Sequence, residues 1–300
     1  MSFFIGSRTI PEVEYHRPKE LAAALVLLRE LKGGYKLIAG GTDLIPAIRR
    51  GALSPDFSHW VDLRSIKELD YIRQEDSLIC IGAVTRLADI EASPIIRKDV
   101  PHLAEAVGQI GSLQIRSQGT IGGNLSNASP AADTAPPLLT LEAKILLKSI
   151  DRQRVVPLDQ FFLGPGKTVL SVGEILAEIQ IPIPRAEEKY CFLKLGRRNA
   201  FTLAIVSVAT RLKIQNGVFQ GVRIALGAVA PVPIRVPKAE GFLTGQRVGE
   251  PTITNGARIA SDEVQPISDV RASAAYRKDM SYVLTRRAIL SCMTPKPAQP

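Results

Sequence analysis

Two Gly-Gly pairs constrain this chain more than any other feature of its sequence. Gly40-Gly41 follows the short apolar segment Tyr35–Ile38, which has the pattern of a buried strand, and Gly122-Gly123 lies in a long stretch of small and polar residues. Glycine lets the backbone approach a ligand closely, and successive free N–H groups form a concavity that suits an anion. Thr42-Asp43 and Asn124 follow the two pairs and are suited to hydrogen-bond phosphate or ribose oxygens. The sequence therefore predicts two loops that hold a diphosphate between them, and the alternative is that each pair only makes a tight turn.

The commoner nucleotide and catalytic motifs are missing from the sequence. No G-x-G-x-x-G follows a strand, as a Rossmann dinucleotide site requires. Gly166-Lys167-Thr168 matches the end of a P-loop, but Phe161 occupies the position of its first glycine. No G-x-S-x-G elbow occurs, and the histidines and cysteines offer no Ser-His-Asp or Cys-His set. We therefore predict no catalytic residue in this chain.

Composition indicates an ordinary globular protein. The chain has 300 residues, of which 45% are hydrophobic and 22% charged, so it is long enough for two domains or one large one. Its net charge is +9, but the basic residues occur as pairs such as Arg49-Arg50 and not as runs interleaved with aromatic residues, which argues against nucleic-acid binding.

No window approaches the roughly 20 apolar residues of a membrane span, and the first residues lack the pattern of a secretory signal. We expect a cytoplasmic protein.

The cysteines and histidines show no metal-binding spacing. They are Cys80, Cys191, Cys292, His16, His59 and His102. A disulfide framework needs paired cysteines and a four-thiolate iron–sulfur cluster needs four, so this chain alone predicts neither. No two histidines have the spacing that would place both imidazoles on one helical face. We therefore predict no metal site.

The pattern of apolar residues predicts alternating helices and strands. The predicted helices cover residues 18–31, 44–50, 101–110 and 272–292, and a further one begins at Thr85. The predicted strands cover residues 35–38, 60–63, 78–84 and 144–148. Residues 119–133 are predicted as a long functional loop, because a loop of small and polar residues between predicted helices and strands is usually functional. Residues 183–189 are predicted as the domain boundary.

Several segments, in a fixed order along the chain, resemble one protein family. They are Ile38-Ala39-Gly40-Gly41-Thr42-Asp43, Gln114-Ile115-Arg116, Gly119-Thr120-Ile121-Gly122-Gly123-Asn124, Ala128-Ser129-Pro130-Ala131-Ala132-Asp133, and residues 161–168, 173–176 and 192–198. In order and spacing they are similar to the FAD-binding medium subunit of the xanthine dehydrogenase and carbon monoxide dehydrogenase family of molybdenum hydroxylases. The resemblance extends over roughly residues 5–292.

This resemblance implies an α+β fold with an FAD-binding domain of the vanillyl-alcohol-oxidase, or PCMH, type. That domain would span residues 1–182 and consist of two α+β subdomains, at about 1–55 and 56–182. A smaller α+β flavoprotein C-terminal domain would follow at 183–292, and residues 293–300 would form a disordered tail.

The resemblance also implies which residues bind FAD. One side of the diphosphate would be held by Ala39, Gly40, Gly41, Thr42 and Asp43, and the other side by Thr120, Gly122, Gly123 and Asn124. Asp133 would bind hydroxyls of the sugar or ribityl chain, Leu176 would flank the ring system, and Lys194 would lie near the flavin.

In such enzymes the flavin subunit is an electron relay. A large subunit carries molybdopterin, a small subunit carries two-iron two-sulfur clusters, and the assembly is expected to be a dimer of heterotrimers. Two other functions stay open at this point: a self-sufficient FAD-dependent reductase or oxidase of the same flavin fold, and a basic binding module whose glycine loops are only structural.

Overall fold

The amino-terminal part forms a small parallel sheet. The computed structural model describes residues 12–52, 57–184, 187–198 and 201–293. The strands β1 (Glu14–His16), β2 (Tyr35–Ile38) and β3 (His59–Asp62) pair in the order β1-β3-β2, and the helices α1 (Leu21–Leu31) and α2 (Leu44–Arg49) connect them. Helix α1 buries Ala24 and Leu28 and ends at Leu31. Its C-cap residue, Lys32, has a left-handed φ of 48° and precedes two glycines.

The second part is a five-stranded antiparallel sheet covered by short helices. Its strands are β4 (Ile72–Glu75), β5 (Leu78–Gly82), β6 (Lys144–Lys148), β7 (Gln153–Pro157) and β10 (Ile175–Pro182), in the order β4-β5-β10-β6-β7. The covering helices are α3 (Leu87–Ala92), α4 (Pro94–Asp99), α5 (Pro101–Gly108), α6 (Leu113–Arg116), α7 (Ile121–Ser126) and α8 (Ala135–Thr140). A two-stranded ribbon consists of β8 (Phe162–Gly164) and β9 (Lys167–Thr168). Ile81, Leu147 and Ile179 are fully buried in the core between sheet and helices.

The carboxy-terminal part packs three helices on a second antiparallel sheet. The strands β11 (Glu188–Leu195), β12 (Val206–Gln215), β13 (Val218–Gly227) and β14 (Ile234–Arg235) pair in sequence order. The helices are α9 (Pro237–Leu243), α10 (Glu250–Asp262) and α11 (Ala274–Met293). These elements enclose their own core, which includes Leu212, Phe219 and Ile289.

The two larger sheets are joined by a polar and aromatic interface. The rings of His102 and Tyr190 stack with centroids 4.7 Å apart. The Ala228 N–H donates to the Pro130 carbonyl at 2.7 Å, and the Arg211 guanidinium donates to the Thr140 carbonyl at 3.2 Å. These contacts place β11 and the chain that follows it beside the helices α5 to α8.

Most of the predicted elements are present, with one informative difference. Strands Tyr35–Ile38 and Lys144–Lys148 have the predicted bounds, and the last predicted helix is α11. The predicted loop at residues 119–133 instead contains helix α7, because the Thr120 Oγ1 accepts a hydrogen bond from the Gly123 N–H at 3.1 Å and so caps the helix. Of the predicted disordered tail, Met293 is the last residue of α11, and residues 294–300 lie outside the described part of the chain. Within the described ranges, no helix is both long enough and apolar enough to cross a bilayer.

Candidate functional site

A cavity of about 570 Å³ lies where three parts of the chain meet. The first is the loop after β2, which contains Gly40-Gly41. The second is the segment that enters helix α7, and the third is the segment after β11 that contains Phe201. The volume falls in the range that binds small molecules and cofactors. The chain thus brings together the two glycine pairs that its sequence places far apart.

The loop after β2 presents free backbone donors. Among the described residues, none accepts a hydrogen bond from the N–H groups of Gly40, Gly41 or Thr42. Gly41 has a left-handed φ of 69°, which favours glycine. A Cβ on Gly40 would lie 2.3 Å from the Gln118 carbonyl oxygen, so only glycine allows the two loops to touch. The donors and the close approach suit a diphosphate at this point.

The second glycine pair does not offer the free N–H groups that the sequence predicted. The Gly122 N–H donates to the Ala83 carbonyl at 2.9 Å and the Gly123 N–H to Thr120, so neither is free to bind an anion. Gly122 is glycine because a Cβ there would lie 2.6 Å from the Ala83 oxygen. On this side Gly123 offers a surface without a side chain. Asn124 lines the cavity, and its Oδ1 accepts from the Thr134 hydroxyl at 2.6 Å, which leaves its amide group to donate.

Asp133 is the most unusual side chain of the cavity wall. Its Oδ2 accepts from the Lys194 Nζ at 2.6 Å, and both side chains are almost completely buried, at 6% and 4% exposure. Its Oδ1 is buried and has no hydrogen-bond partner among the described residues. Burial raises the pKa of Asp133 to about 6, and the Lys194 ammonium offsets only part of that rise. A buried carboxylate oxygen without a partner fits a ligand hydroxyl that would donate to it.

Lys194 reaches Asp133 from the C-terminal sheet. Its Nζ also donates to the Gln109 carbonyl at 2.9 Å, so it links β11 to two segments of the preceding part of the chain. The structure therefore assigns Lys194 to the support of Asp133.

An apolar rim closes one side of the cavity. Ile110 and Ile115 face it from around helix α6, and Phe201 and Leu203 from the segment after β11. Phe201 is 57% exposed and has a left-handed φ of 52°. Its N–H donates to the Gly111 carbonyl at 3.2 Å, and the Arg198 side chain donates to its carbonyl oxygen. The sequence reasoning missed this rim, although the run Gly196-Arg197-Arg198 between two strands marks the loop that carries it.

Nine of the twelve residues that the resemblance implied line the cavity. They are Ala39, Gly40, Gly41, Thr42, Asp43, Thr120, Gly123, Asn124 and Asp133. Gly122 supports helix α7 and Lys194 supports Asp133, as described above. Leu176 does not line the cavity; it lies on β10 at 4% exposure and packs in the hydrophobic core.

The ionisable side chains of the described wall are few. They are Lys36, Asp43 and Asp133. Burial raises the pKa of Asp43, and the charge of Arg50 opposes that rise. A wall of backbone donors, small residues and one apolar rim is suited to hold a long cofactor with a flat ring.

Comparison with known protein families identifies the family of the chain. Residues 11–184 match the model of the FAD binding domain in molybdopterin dehydrogenase, and residues 191–292 match that of the CO dehydrogenase flavoprotein C-terminal domain. The chain belongs to this family of flavin subunits. The resemblance stated from the sequence is thereby confirmed, together with the α+β fold of a PCMH-type FAD-binding domain and a C-terminal flavoprotein domain.

Individual relatives are similar to this chain over nearly its whole length. The flavin subunit is 34% identical to the glyceraldehyde dehydrogenase medium chain of Sulfolobus acidocaldarius, over 93% of this chain and 97% of that one. It is 33% identical to the carbon monoxide dehydrogenase medium chain of Hydrogenophaga pseudoflava, over 93% and 96%. Both relatives are chains of dehydrogenases, so this flavin subunit is part of an oxidoreductase and FAD is its cofactor.

Solved structures show the same fold. A chain of the carbon monoxide dehydrogenase of Hydrogenophaga pseudoflava superposes with a TM-score of 0.91 at 34% identity, over 95% of this chain and 99% of that one. A chain of the quinoline 2-oxidoreductase of Pseudomonas putida superposes with a TM-score of 0.89 at 30% identity, over 95% and 98%.

Proposed function

We propose that this flavin subunit relays electrons within a heteromeric molybdenum hydroxylase. It would take electrons from the two-iron two-sulfur clusters of a small partner subunit and pass them to an external acceptor. The observation that carries the proposal is the cavity wall itself: backbone donors, an unpartnered Asp133 oxygen and an apolar rim, with few ionisable groups to act on a substrate. A self-sufficient flavoenzyme needs an acid and a base near its own substrate, so this wall favours the relay.

The diphosphate would lie against the loop after β2. There the free N–H groups of Gly40, Gly41 and Thr42 would donate to its oxygens, and Ala39 and Asp43 complete the loop. Facing it, Gly123 would give the diphosphate room and the Asn124 amide would donate to it.

The remaining residues would fix the sugar chain and the ring system. Asp133 would accept a hydrogen bond from a hydroxyl of the sugar or ribityl chain at its Oδ1, while Lys194 holds its Oδ2. The apolar rim of Ile110, Ile115, Phe201 and Leu203 would cover the ring and keep water from it. Bound FAD supplies the redox chemistry, and the protein sets its position and environment.

The proposed assembly follows from the relatives. Two of them are named medium chains, and one matching structure comes from a Cu,Mo-containing carbon monoxide dehydrogenase. We infer a large molybdopterin subunit and a small iron–sulfur subunit as partners, in a cytoplasmic dimer of heterotrimers. We also propose that the chain divides into an FAD-binding domain at 1–182 and a C-terminal domain at 183–292.

The relay is tested on the complex purified from its native host through an affinity tag on this chain. We expect molybdenum, iron and FAD to co-purify in a fixed ratio. After reduction of the clusters with limiting dithionite, electrons should reach a tetrazolium dye in the wild-type complex. They should remain on the clusters, as seen by electron paramagnetic resonance, in a complex whose Gly123→Val variant has lost FAD. Equal dye reduction by the complex without FAD would contradict the relay.

A further inference from the structure

Two histidines and a glutamate meet at an edge of the amino-terminal sheet, away from the cavity. Glu14 and His16 are two residues apart on β1 and therefore lie on the same face of that strand. His59 begins β3, and the parallel register pairs it with Glu14. The His16 Nε2 and His59 Nδ1 atoms are 3.1 Å apart, and the Glu14 carboxylate lies 3.6 Å from the first and 3.4 Å from the second.

These distances match the edges of a metal coordination polyhedron. A tetrahedral Zn²⁺ ion with bonds of about 2.0–2.1 Å separates its ligand atoms by about 3.3 Å. The two nitrogens are 3.1 Å apart, the Glu14 Oε1 is 3.6 Å from the His16 nitrogen, and the other carboxylate oxygen, Oε2, is 3.4 Å from the His59 nitrogen. One ligand atom from each residue lies within 4.8 Å of the other two, so one ion fits between them after side-chain adjustment. Two imidazoles and one carboxylate are also a set of ligands that zinc prefers.

The surroundings make the cluster accessible and firmly held. The side chains of His16 and His59 are 19% and 25% exposed, whereas Glu14 is 67% exposed, so an ion can enter from the Glu14 side. The backbone at His59 is fixed because the N–H groups of Ser58 and His59 both donate to the Gly34 carbonyl. A fixed backbone at this ligand lowers the cost of ordering the site.

The cluster is separate from the FAD cavity. None of the three residues lines that cavity, which opens at the carboxyl end of β2, whereas His59 pairs with Tyr35 at the amino end of the same strand. The spacing of the histidines along the sequence predicted no metal site, because spacing alone reveals only ligands that share one helix or one metal knuckle. Parallel pairing of β1 with β3 is what brings His16 and His59 together.

We propose that Glu14, His16 and His59 bind one Zn²⁺ ion, with a water molecule as the fourth ligand. The ion clamps β1 onto β3 and so stabilises the sheet whose third strand, β2, leads into the loop from Ala39 to Asp43. Because Zn²⁺ has no redox chemistry, the ion takes no part in electron transfer.

The test uses the full-length, FAD-loaded chain without a histidine tag, stripped with a chelator and then desalted. Zn²⁺ binding is measured by isothermal titration calorimetry at pH 7.5, and bound zinc by elemental analysis after gel filtration. The variants are His59→Gln and Glu14→Gln, and Glu30→Gln on the exposed surface of α1 is the charge-matched control. Circular dichroism and FAD content confirm that each variant is folded.

We expect one Zn²⁺ per chain for the wild type and the control, and a melting temperature that rises on zinc addition. Loss of an outer-shell partner costs about 10–100-fold in metal affinity, and loss of a ligand costs at least as much, so His59→Gln should weaken zinc binding at least about 10-fold. Cobalt should replace zinc and give the intense visible bands of a four-coordinate ion. Either of two results would overturn the proposal: no zinc retained by the wild type, or His59→Gln binding zinc as tightly as Glu30→Gln.

Discussion

The ionisation of Asp133 makes FAD binding depend on pH. In the protein without ligand its pKa is raised to about 6 by burial, so about nine-tenths of the carboxyl groups are charged at pH 7 and about one-tenth at pH 5. A cofactor hydroxyl that donates to the free Oδ1 stabilises the charged form and therefore lowers the pKa in the complex. Below pH 6, binding must then release a proton, and FAD affinity falls as the pH falls. From pH 7 to pH 5 the dissociation constant should rise about tenfold.

The assay is the recovery of FAD fluorescence at equilibrium, measured every half unit between pH 5 and pH 7.5. Asp133→Asn cannot titrate and should bind FAD more weakly at pH 7 but with a flat profile. Asp43→Asn is the matched control, because Asp43 also lines the cavity with a raised pKa, and it should keep the tenfold change. A flat profile for the wild type, or the same slope in Asp133→Asn, would refute the assignment of Asp133.

Substitutions at three further positions test the geometry of the site. Gly123→Val should abolish FAD retention, as judged by bound flavin after desalting. Gly123→Ala should largely keep it, because a Cβ there meets only the Thr120 hydroxyl, at 3.0 Å. Full retention in a folded valine variant would remove Gly123 from the site. Gly40→Ala forces the two loops apart at Gln118. We therefore expect a loss of about 1–3 kcal/mol in stability and a loss of at least about tenfold in FAD affinity. Wild-type values in thermal melts and FAD titrations would show that the close approach of the loops does not matter. Lys194→Met leaves Asp133 buried without its partner and should lower the free energy of unfolding by about 3 kcal/mol at pH 7. Adding Asp133→Asn should restore part of that loss. Urea unfolding measures both variants, and equal stability of the wild type and Lys194→Met would contradict the role of the ion pair.

Local sequence signals predicted the elements, and order along the chain predicted the family. The strand Tyr35–Ile38 was predictable because a short apolar segment runs into a glycine pair. Helix α11, predicted at residues 272–292, spans Ala274–Met293. The loop after β2 was predicted from its glycine pair, the role of Asp133 was implied by the resemblance, and the structure brings both to one cavity.

The features that the sequence did not reveal depend on contacts between distant segments. The hydrogen bond from Gly122 to Ala83, which occupies the second glycine pair, requires the fold of β5 and α7 together. Phe201 enters the cavity wall only because the C-terminal sheet packs on the helices, a contact with no local signal. The pairing of His16 with His59 depends in the same way on strand register. None of these three contacts can be predicted from the spacing of residues along the chain.

The most direct test of the central claim is the absorption spectrum of the purified chain, before and after heat release of its cofactor, with the released flavin identified by chromatography. The proposed relay subunit predicts one FAD per chain and no iron–sulfur absorbance. A colourless, folded protein that also fails to bind added FAD would contradict the account.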